Sequence, residues 1–174
     1  WLTPGEHTLT ICIDNRVKDI QVGVNSHSIS DHTQSNWNGM AGKLELRCTP
    51  LVRIEQVTLY PDLAKKQVRV RIAVQNDAGP VENIRIQAVA RSLTGKGKDA
   101  APMKTEQQIL PGSNIISLYY PMGEDVLLWD EFDPNLYAME VTLQAKNAGK
   151  DTRKITFGMR QLGTNGTRIT VNGR

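Results

Sequence analysis

The densest group of polar side chains lies in residues 25–42, which read NSHSISDHTQSNWNGMAG. Asn, Asp and Gln side chains offer paired hydrogen-bond donors and acceptors that match vicinal hydroxyl groups, and an indole face packs on the apolar side of a pyranose ring. The segment is equally typical of a long polar loop that caps its own turns and is anchored by its tryptophan. If it contacts carbohydrate, the candidate residues are Asp31, Gln34, Asn36, Trp37 and Asn38.

A cluster of carboxylates is the second group with chemical potential, and its members are Glu124, Asp125, Asp130, Glu131 and Asp133. Glycoside hydrolysis requires two carboxylates about 5–10 Å apart, but proximity along the sequence does not establish such a pair. Because Trp129 and Pro134 are interleaved with the acidic residues, the pattern favours a solvated loop between strands. We therefore predict no catalytic residue in this cluster.

The elements that would position these side chains are β-strands, because apolar residues recur with a period of two in short bursts between turn residues. Residues 67–75 show the pattern well, with Val68, Val70, Ile72 and Val74 predicted to point inward. Seven strands at this spacing are typical of an immunoglobulin-like sandwich. They are predicted at residues 54–60, 67–75, 84–90, 105–110, 114–120, 136–145 and 152–157.

Two further half-buried strands are predicted upstream of Pro50, at residues 7–14 and 43–48. Each contains a cysteine, Cys12 in the first and Cys48 in the second. The two cysteines are either small buried side chains on these strands or a disulfide pair, which would imply an oxidising compartment. A periplasmic or extracellular location is slightly favoured over a cytoplasmic one.

Composition and charge exclude several classes of partner and site. The net charge of +3 over 174 residues is weak and dispersed, so we predict no nucleic-acid partner and no membrane surface. No apolar run approaches the roughly 20 residues of a membrane helix. His27 and His32 lack a third spaced ligand, so no metal site is predicted. Residues 1–20 lack the features of a signal peptide, and we expect the sequence to have been cut from a longer one.

An ordered series of short motifs covers nearly the whole sequence. It consists of GEHTL and IDNR at residues 5–9 and 13–16, the tryptophan- and glycine-bearing loop at 28–42 before strand 43–46, residues 57–62, LWD at 128–130, PNLY at 134–137, FGMR at 157–160 and VNG at 171–173. The series resembles glycoside hydrolase family 2, the group of β-galactosidases, β-glucuronidases and β-mannosidases. The LW…PNLY portion is the most specific of these similarities.

The resemblance implies three parts: the C-terminal portion of a sugar-binding jelly roll at residues 1–50, an immunoglobulin-like sandwich at 51–157, and the lead-in to a catalytic (β/α)₈ barrel at 158–174. The family's acid/base and nucleophile glutamates lie in the barrel, so we expect this polypeptide to be a non-catalytic portion of a β-galactosidase-like glycosidase. Its partner would be the barrel of the same protein. Trp129 and Tyr137 are expected in inter-strand packing and Arg160 at the turn towards the barrel, with no cofactor.

A free-standing carbohydrate-binding or adhesion module, with residues 31–38 as its site, is the alternative interpretation. In that case a carbohydrate would be the partner. Under either interpretation, an unpaired strand edge in residues 1–50 would favour association. A homo-oligomer formed through exposed strand edges is therefore also an expectation.

Overall fold

The computed structural model describes residues 3, 5–14, 39–46, 48–146 and 148–174. The protein divides into two units, Trp1–Arg47 and Cys48–Arg174. The described residues contain nine β-strands and no α-helix. No helix long and apolar enough to cross a membrane is therefore found among them.

The described residues of the first unit form no strand, and their apolar side chains are exposed. Leu9, Leu44 and Leu46 are 79%, 70% and 82% exposed. The prediction of half-buried strands at 7–14 and 43–48 is wrong for these residues. Alternation supplies an apolar face, but a strand also needs a neighbour for its backbone and a second layer over that face. The described part of this unit supplies neither.

Neither alternative given for the two cysteines, burial on strands or a disulfide pair, is found. Cys12 and Cys48 are both free and exposed. An alternating segment buries a thiol only where a neighbouring strand and a second layer cover its apolar face, and the described residues around Cys12 form no strand. The alternating sequence pattern predicted a buried strand position for each cysteine, but neither residue lies in a strand of the structure.

The second unit contains seven long strands and a short hairpin, each defined here by its residue range. They are β1 (Val52–Asp62), β2 (Gln67–Asn76), β3 (Glu82–Ser92), β4 (Met103–Ile109), β5 (Gly112–Pro121), β6 (Tyr137–Ala145), β7 (Gly149–Phe157), β8 (Leu162–Asn165) and β9 (Arg168–Val171). All seven strands predicted between residues 54 and 157 are present, and no end differs from its prediction by more than three residues.

The seven strands form two antiparallel sheets, with the orders β1-β2-β5 and β4-β3-β6-β7. The backbone crosses from one sheet to the other between β2 and β3, between β4 and β5, and again between β5 and β6. Two sheets that each bury one face against the other form a sandwich. The all-β sandwich class predicted from the sequence is therefore confirmed.

Strict alternation along the central strands builds the core between the sheets. Val68, Val70, Ile72 and Val74 of β2 are at most 1% exposed, as the period-two pattern predicts. β6 supplies the facing layer with Tyr137, Met139, Val141, Leu143 and Ala145, which are also at most 1% exposed. Burial of this continuous apolar layer is the main source of the sandwich's stability.

Tyr120 joins the two layers from within the core. Its hydroxyl accepts a hydrogen bond from the Ala90 amide at 3.0 Å and donates one to the Ala101 carbonyl at 2.8 Å. Burial raises the pKa of Tyr120, which keeps the hydroxyl protonated and able to donate. A buried tyrosine is stable in this position because both functions of its hydroxyl are satisfied.

An ion pair on β7 links the two sheets at the edge of the sandwich, where β1 lies opposite β7. Asp151 accepts a hydrogen bond from the Ile54 amide at 2.8 Å, and Arg153 donates one to the Ile54 carbonyl at 2.8 Å. Asp151 and Arg153 also pair with each other at 2.8 Å. The β1–β2 register shifts between Ile54 and Gln56, as at a β-bulge. We call Asp151 and Arg153 with the Ile54 backbone the β1–β7 clamp.

Candidate functional site: the Trp129 corner

The segment between β5 and β6 is held against the sandwich by two buried side chains. Asn135, which is 3% exposed, donates a hydrogen bond from Nδ2 to the Leu128 carbonyl at 3.0 Å and accepts one from the Thr94 hydroxyl at 3.3 Å. The Tyr137 hydroxyl accepts a hydrogen bond from the Leu127 amide at 2.9 Å. These bonds fix the backbone of Leu127 and Leu128, immediately before Trp129.

Trp129 packs directly against the segment that leaves β7. Its amide donates a hydrogen bond to the Met159 carbonyl at 3.0 Å, and the Arg160 guanidinium carbon lies 4.7 Å from the centroid of its ring. A cation over an indole face is attracted by the ring's quadrupole. Gly158 allows this close approach, because a Cβ at that position would lie 2.7 Å from the Trp129 Cβ.

Asn172 attaches the β8–β9 hairpin to the same point. Its side-chain amide donates to the Trp129 carbonyl at 2.9 Å, and its side-chain oxygen accepts from the Gln161 amide at 2.9 Å. Its backbone amide also donates to the Gln161 carbonyl at 2.8 Å. The backbone φ of 54° lies in the left-handed region that asparagine tolerates better than most residues. We call Trp129, Gly158, Arg160 and Asn172 the Trp129 corner.

A groove of about 450 Å³ opens beside the corner. Its walls are mostly apolar, and they include Leu59, Pro61, Leu136, Phe157 and Leu162. Leu162 is 62% exposed, so apolar surface continues from the groove onto the hairpin. A groove with apolar walls and one guanidinium is suited to contact with another protein surface.

The structure brings together two of the three residues predicted to be structural. Trp129 and Arg160 contact each other, while Tyr137 starts β6 and packs its ring 5.8 Å from that of Phe157. The five candidate carbohydrate-contacting residues, Asp31, Gln34, Asn36, Trp37 and Asn38, lie outside the described residues.

Gly158, Asn135 and Asn172 were not predicted as parts of a site. The available signals were the motifs PNLY at 134–137, FGMR at 157–160 and VNG at 171–173, which contain these three residues.

Four of the five carboxylates between residues 124 and 133 are engaged in ion pairs or a turn. Glu124 pairs with Lys66, Asp125 with Lys98 and Asp133 with Lys96, while Asp130 accepts hydrogen bonds from the Phe132 and Asp133 amides. Bonding from Lys98 lowers the pKa of Asp125, and bonding from Asn135 and Lys96 lowers that of Asp133. A general acid needs a raised pKa, so Asp125 and Asp133 have the opposite electrostatics.

We expect the carboxyl of Asp125 to titrate below its ordinary pKa of 3.8, and Lys98→Gln to move that pKa back towards 3.8. A lowered pKa favours the ionised form of Asp125. The ion pair with Lys98 therefore contributes to the stability of the fold above the unfolded-state pKa, and this contribution is lost as the pH falls through the folded-state pKa. An NMR titration of the Asp125 carboxyl carbon measures both values. Lys66→Gln is the matched control and should shift the pKa less, since Lys66 acts on Asp125 only through charge. An equal shift in both variants would contradict the pairing.

No group of His, Cys, Asp and Glu side chains that could hold a metal ion occurs among the residues that the structure describes. The Trp129 corner itself carries a guanidinium and amides. Its chemistry is that of a hydrogen-bonded and cation–π joint between the sandwich and the hairpin.

Comparison with known proteins gives a consistent picture. The sequence-family model for glycosyl hydrolases family 2 matches residues 52–160 of this protein, from the start of β1 to Arg160. The protein is similar to the solved structures of a family 2 member from Bacteroides cellulosilyticus (16% identity, TM-score 0.58, 71% of this chain and 18% of that one) and a β-glucuronidase of the same family (17%, 0.59, 71% and 14%). It is also similar to a β-glycosidase from Bacteroides vulgatus (18%, 0.51, 71% and 16%).

At these identities the structural likeness shows the fold alone. The sequence spans 14–18% of the length of these three proteins. No curated protein matches it.

Proposed function

Because the protein belongs to glycosyl hydrolases family 2, we propose that it is a non-catalytic portion of a glycosidase, in which an immunoglobulin-like sandwich positions the segment that enters a catalytic barrel. In this proposal residues 1–50 belong to a sugar-binding jelly roll, 51–157 to the sandwich and 158–174 to the lead-in. The barrel of the same protein is the partner, and it supplies the acid/base and nucleophile carboxylates.

The single observation that carries the proposal is the Trp129 corner. Three interactions reach the segment after β7 from Trp129: the bond to Met159, the stacking of Arg160 and the bond from Asn172. A loop that served only to connect β5 with β6 would not need to hold residues 159–172. The apolar groove beside the corner is the surface that the barrel would cover.

The substrate class in this proposal is a β-glycoside. The sequence resemblance covers β-galactosidases, β-glucuronidases and β-mannosidases together, and a similar solved structure is a β-glucuronidase. All three classes of β-glycoside should therefore be compared.

The test has two arms. The purified 174-residue protein should leave nitrophenyl β-galactoside, β-glucuronide and β-mannoside intact, while a complete family 2 enzyme assayed in parallel cleaves its own substrate. Sequencing of the encoding gene should show a reading frame that continues past Arg174 into a barrel, which takes about 200 residues or more. Cleavage by the purified protein at rates comparable with the control enzyme, or a stop codon directly after Arg174, would overturn the proposal.

A further inference from the structure

The β8–β9 hairpin contains two Asn-Gly pairs in different environments. Asn165-Gly166 forms the hairpin turn, and Asn172-Gly173 follows β9. In an Asn-Gly pair the glycine amide nitrogen can attack Cγ of the asparagine, because glycine has no side chain to obstruct the approach. Ring closure needs an asparagine amide group that is free to rotate and a backbone nitrogen that is free of a hydrogen bond.

Asn165 meets these requirements. Residues 162–169 are all exposed, and Asn165 pairs with Arg168 across a two-residue turn whose first central residue, Gly166, has a φ of 60°, the arrangement of a type II′ turn. Neither the Asn165 side chain nor the Gly166 amide forms a hydrogen bond with the residues that the structure describes. Both reacting groups are therefore accessible.

The side chain of Asn172, in contrast to that of Asn165, is fixed by hydrogen bonds. Both ends of its side-chain amide are engaged, with the oxygen bonded to the Gln161 amide and the nitrogen bonded to the Trp129 carbonyl. Its own backbone amide bonds to Gln161 as well. Its Cγ atom is prevented from turning towards Gly173 unless both of the bonds from the side chain break.

We infer that Asn165 is a site of spontaneous deamidation in the folded protein, and that the Trp129 corner protects Asn172 from the same reaction. Hydroxide removes the proton of the Gly166 amide, and the nitrogen bonds to Cγ of Asn165. The bond between Cγ and Nδ2 breaks, and ammonia leaves with a proton from water. One water molecule then opens the resulting cyclic imide at either carbonyl to give aspartate or isoaspartate, so the net change is water consumed and ammonia released.

The isoaspartate product lengthens the backbone of the turn by one carbon. A two-residue hairpin turn sets the register of its strands, so this product displaces the four pairs between β8 and β9, from Asn165↔Arg168 to Leu162↔Val171. The sandwich does not depend on this turn. The modification would therefore loosen the hairpin and leave the core intact.

Tryptic digestion separates the two sites, because Arg160, Arg168 and Arg174 place Asn165 in the peptide 161–168 and Asn172 in the peptide 169–174. The protein is incubated in mildly alkaline buffer, digested, and mapped by mass spectrometry with fragmentation that distinguishes isoaspartate from aspartate. An unaged sample digested in parallel corrects for conversion during digestion. We expect deamidation at Asn165 to be at least about tenfold faster than at Asn172, since two hydrogen bonds must first break at Asn172.

Incubation in a denaturing concentration of urea is the matched control, because unfolding removes the protection. Under that condition the two rates should converge. Gly166→Ala should slow conversion of Asn165 in both the folded and the unfolded protein, because the added methyl group obstructs the backbone nitrogen. Equal rates at the two sites in the folded protein, or faster conversion at Asn172, would overturn the inference.

Discussion

Asp151→Ala is expected to destabilise the second unit by about 2–4 kcal/mol. The substitution removes the acceptor of the Ile54 amide, and Ile54 is fully buried. It also leaves Arg153 without its counterion, although Arg153 keeps its bond to the Ile54 carbonyl. The free energy of unfolding from urea denaturation measures the effect.

Glu106→Ala is the matched control for Asp151→Ala. Glu106 pairs with Arg85 on the same four-stranded sheet, but the two side chains are 70% and 64% exposed. Exposed pairs contribute little, and we expect a change of less than about 1 kcal/mol. A comparable loss in both variants would show that the β1–β7 clamp acts only as a surface ion pair.

Trp129→Ala is expected to destabilise the second unit by about 2–3 kcal/mol and to release the hairpin. The substitution removes the surface on which Arg160 stacks and opens the space against Gly158. The Trp129 carbonyl that Asn172 bonds to is lost from its fixed position at the same time. Hydrogen exchange at the backbone amides of β8 and β9 should increase more than at those of β6.

Phe132→Ala tests whether this effect is specific to the corner. Phe132 lies in the same segment and is 90% exposed, so its removal should change stability by less than about 0.5 kcal/mol. If Trp129→Ala left hairpin exchange unchanged, or if Phe132→Ala increased it equally, the anchoring role of the corner would be contradicted.

The seven-stranded sandwich could be predicted from the sequence because its strands satisfy a local rule. In β2 every second residue is apolar and faces the core, and turn residues mark each end, so the period alone locates the strand. The same rule fails at residues 7–14. There the alternation is as regular, but the described residues provide no second strand or layer, and a pattern in the sequence does not reveal whether its partner exists.

The interactions between distant residues could not be predicted. The bond from Ile54 to Asp151 joins residues 97 apart, and neither residue has a type or spacing that indicates the other. Trp129 and Arg160 were singled out by family resemblance. Gly158 and Asn172 lie in motifs of the same resemblance, but their contacts with Trp129 depend on the path of the backbone. A glycine is required at 158 because an indole lies against it, and that contact follows from the tertiary structure alone.

The β1–β7 clamp also affects the order in which the molecule can fold. Its two strands are the first and last of the sandwich, and two of the five sheet pairings, β2 with β5 and β3 with β6, also join distant segments. Closing such long loops costs conformational entropy before any contact compensates for it, so domains of this topology fold in milliseconds to seconds. The clamp can form only after the sheets are in place. We therefore expect the clamp to lower the unfolding rate more than it raises the folding rate.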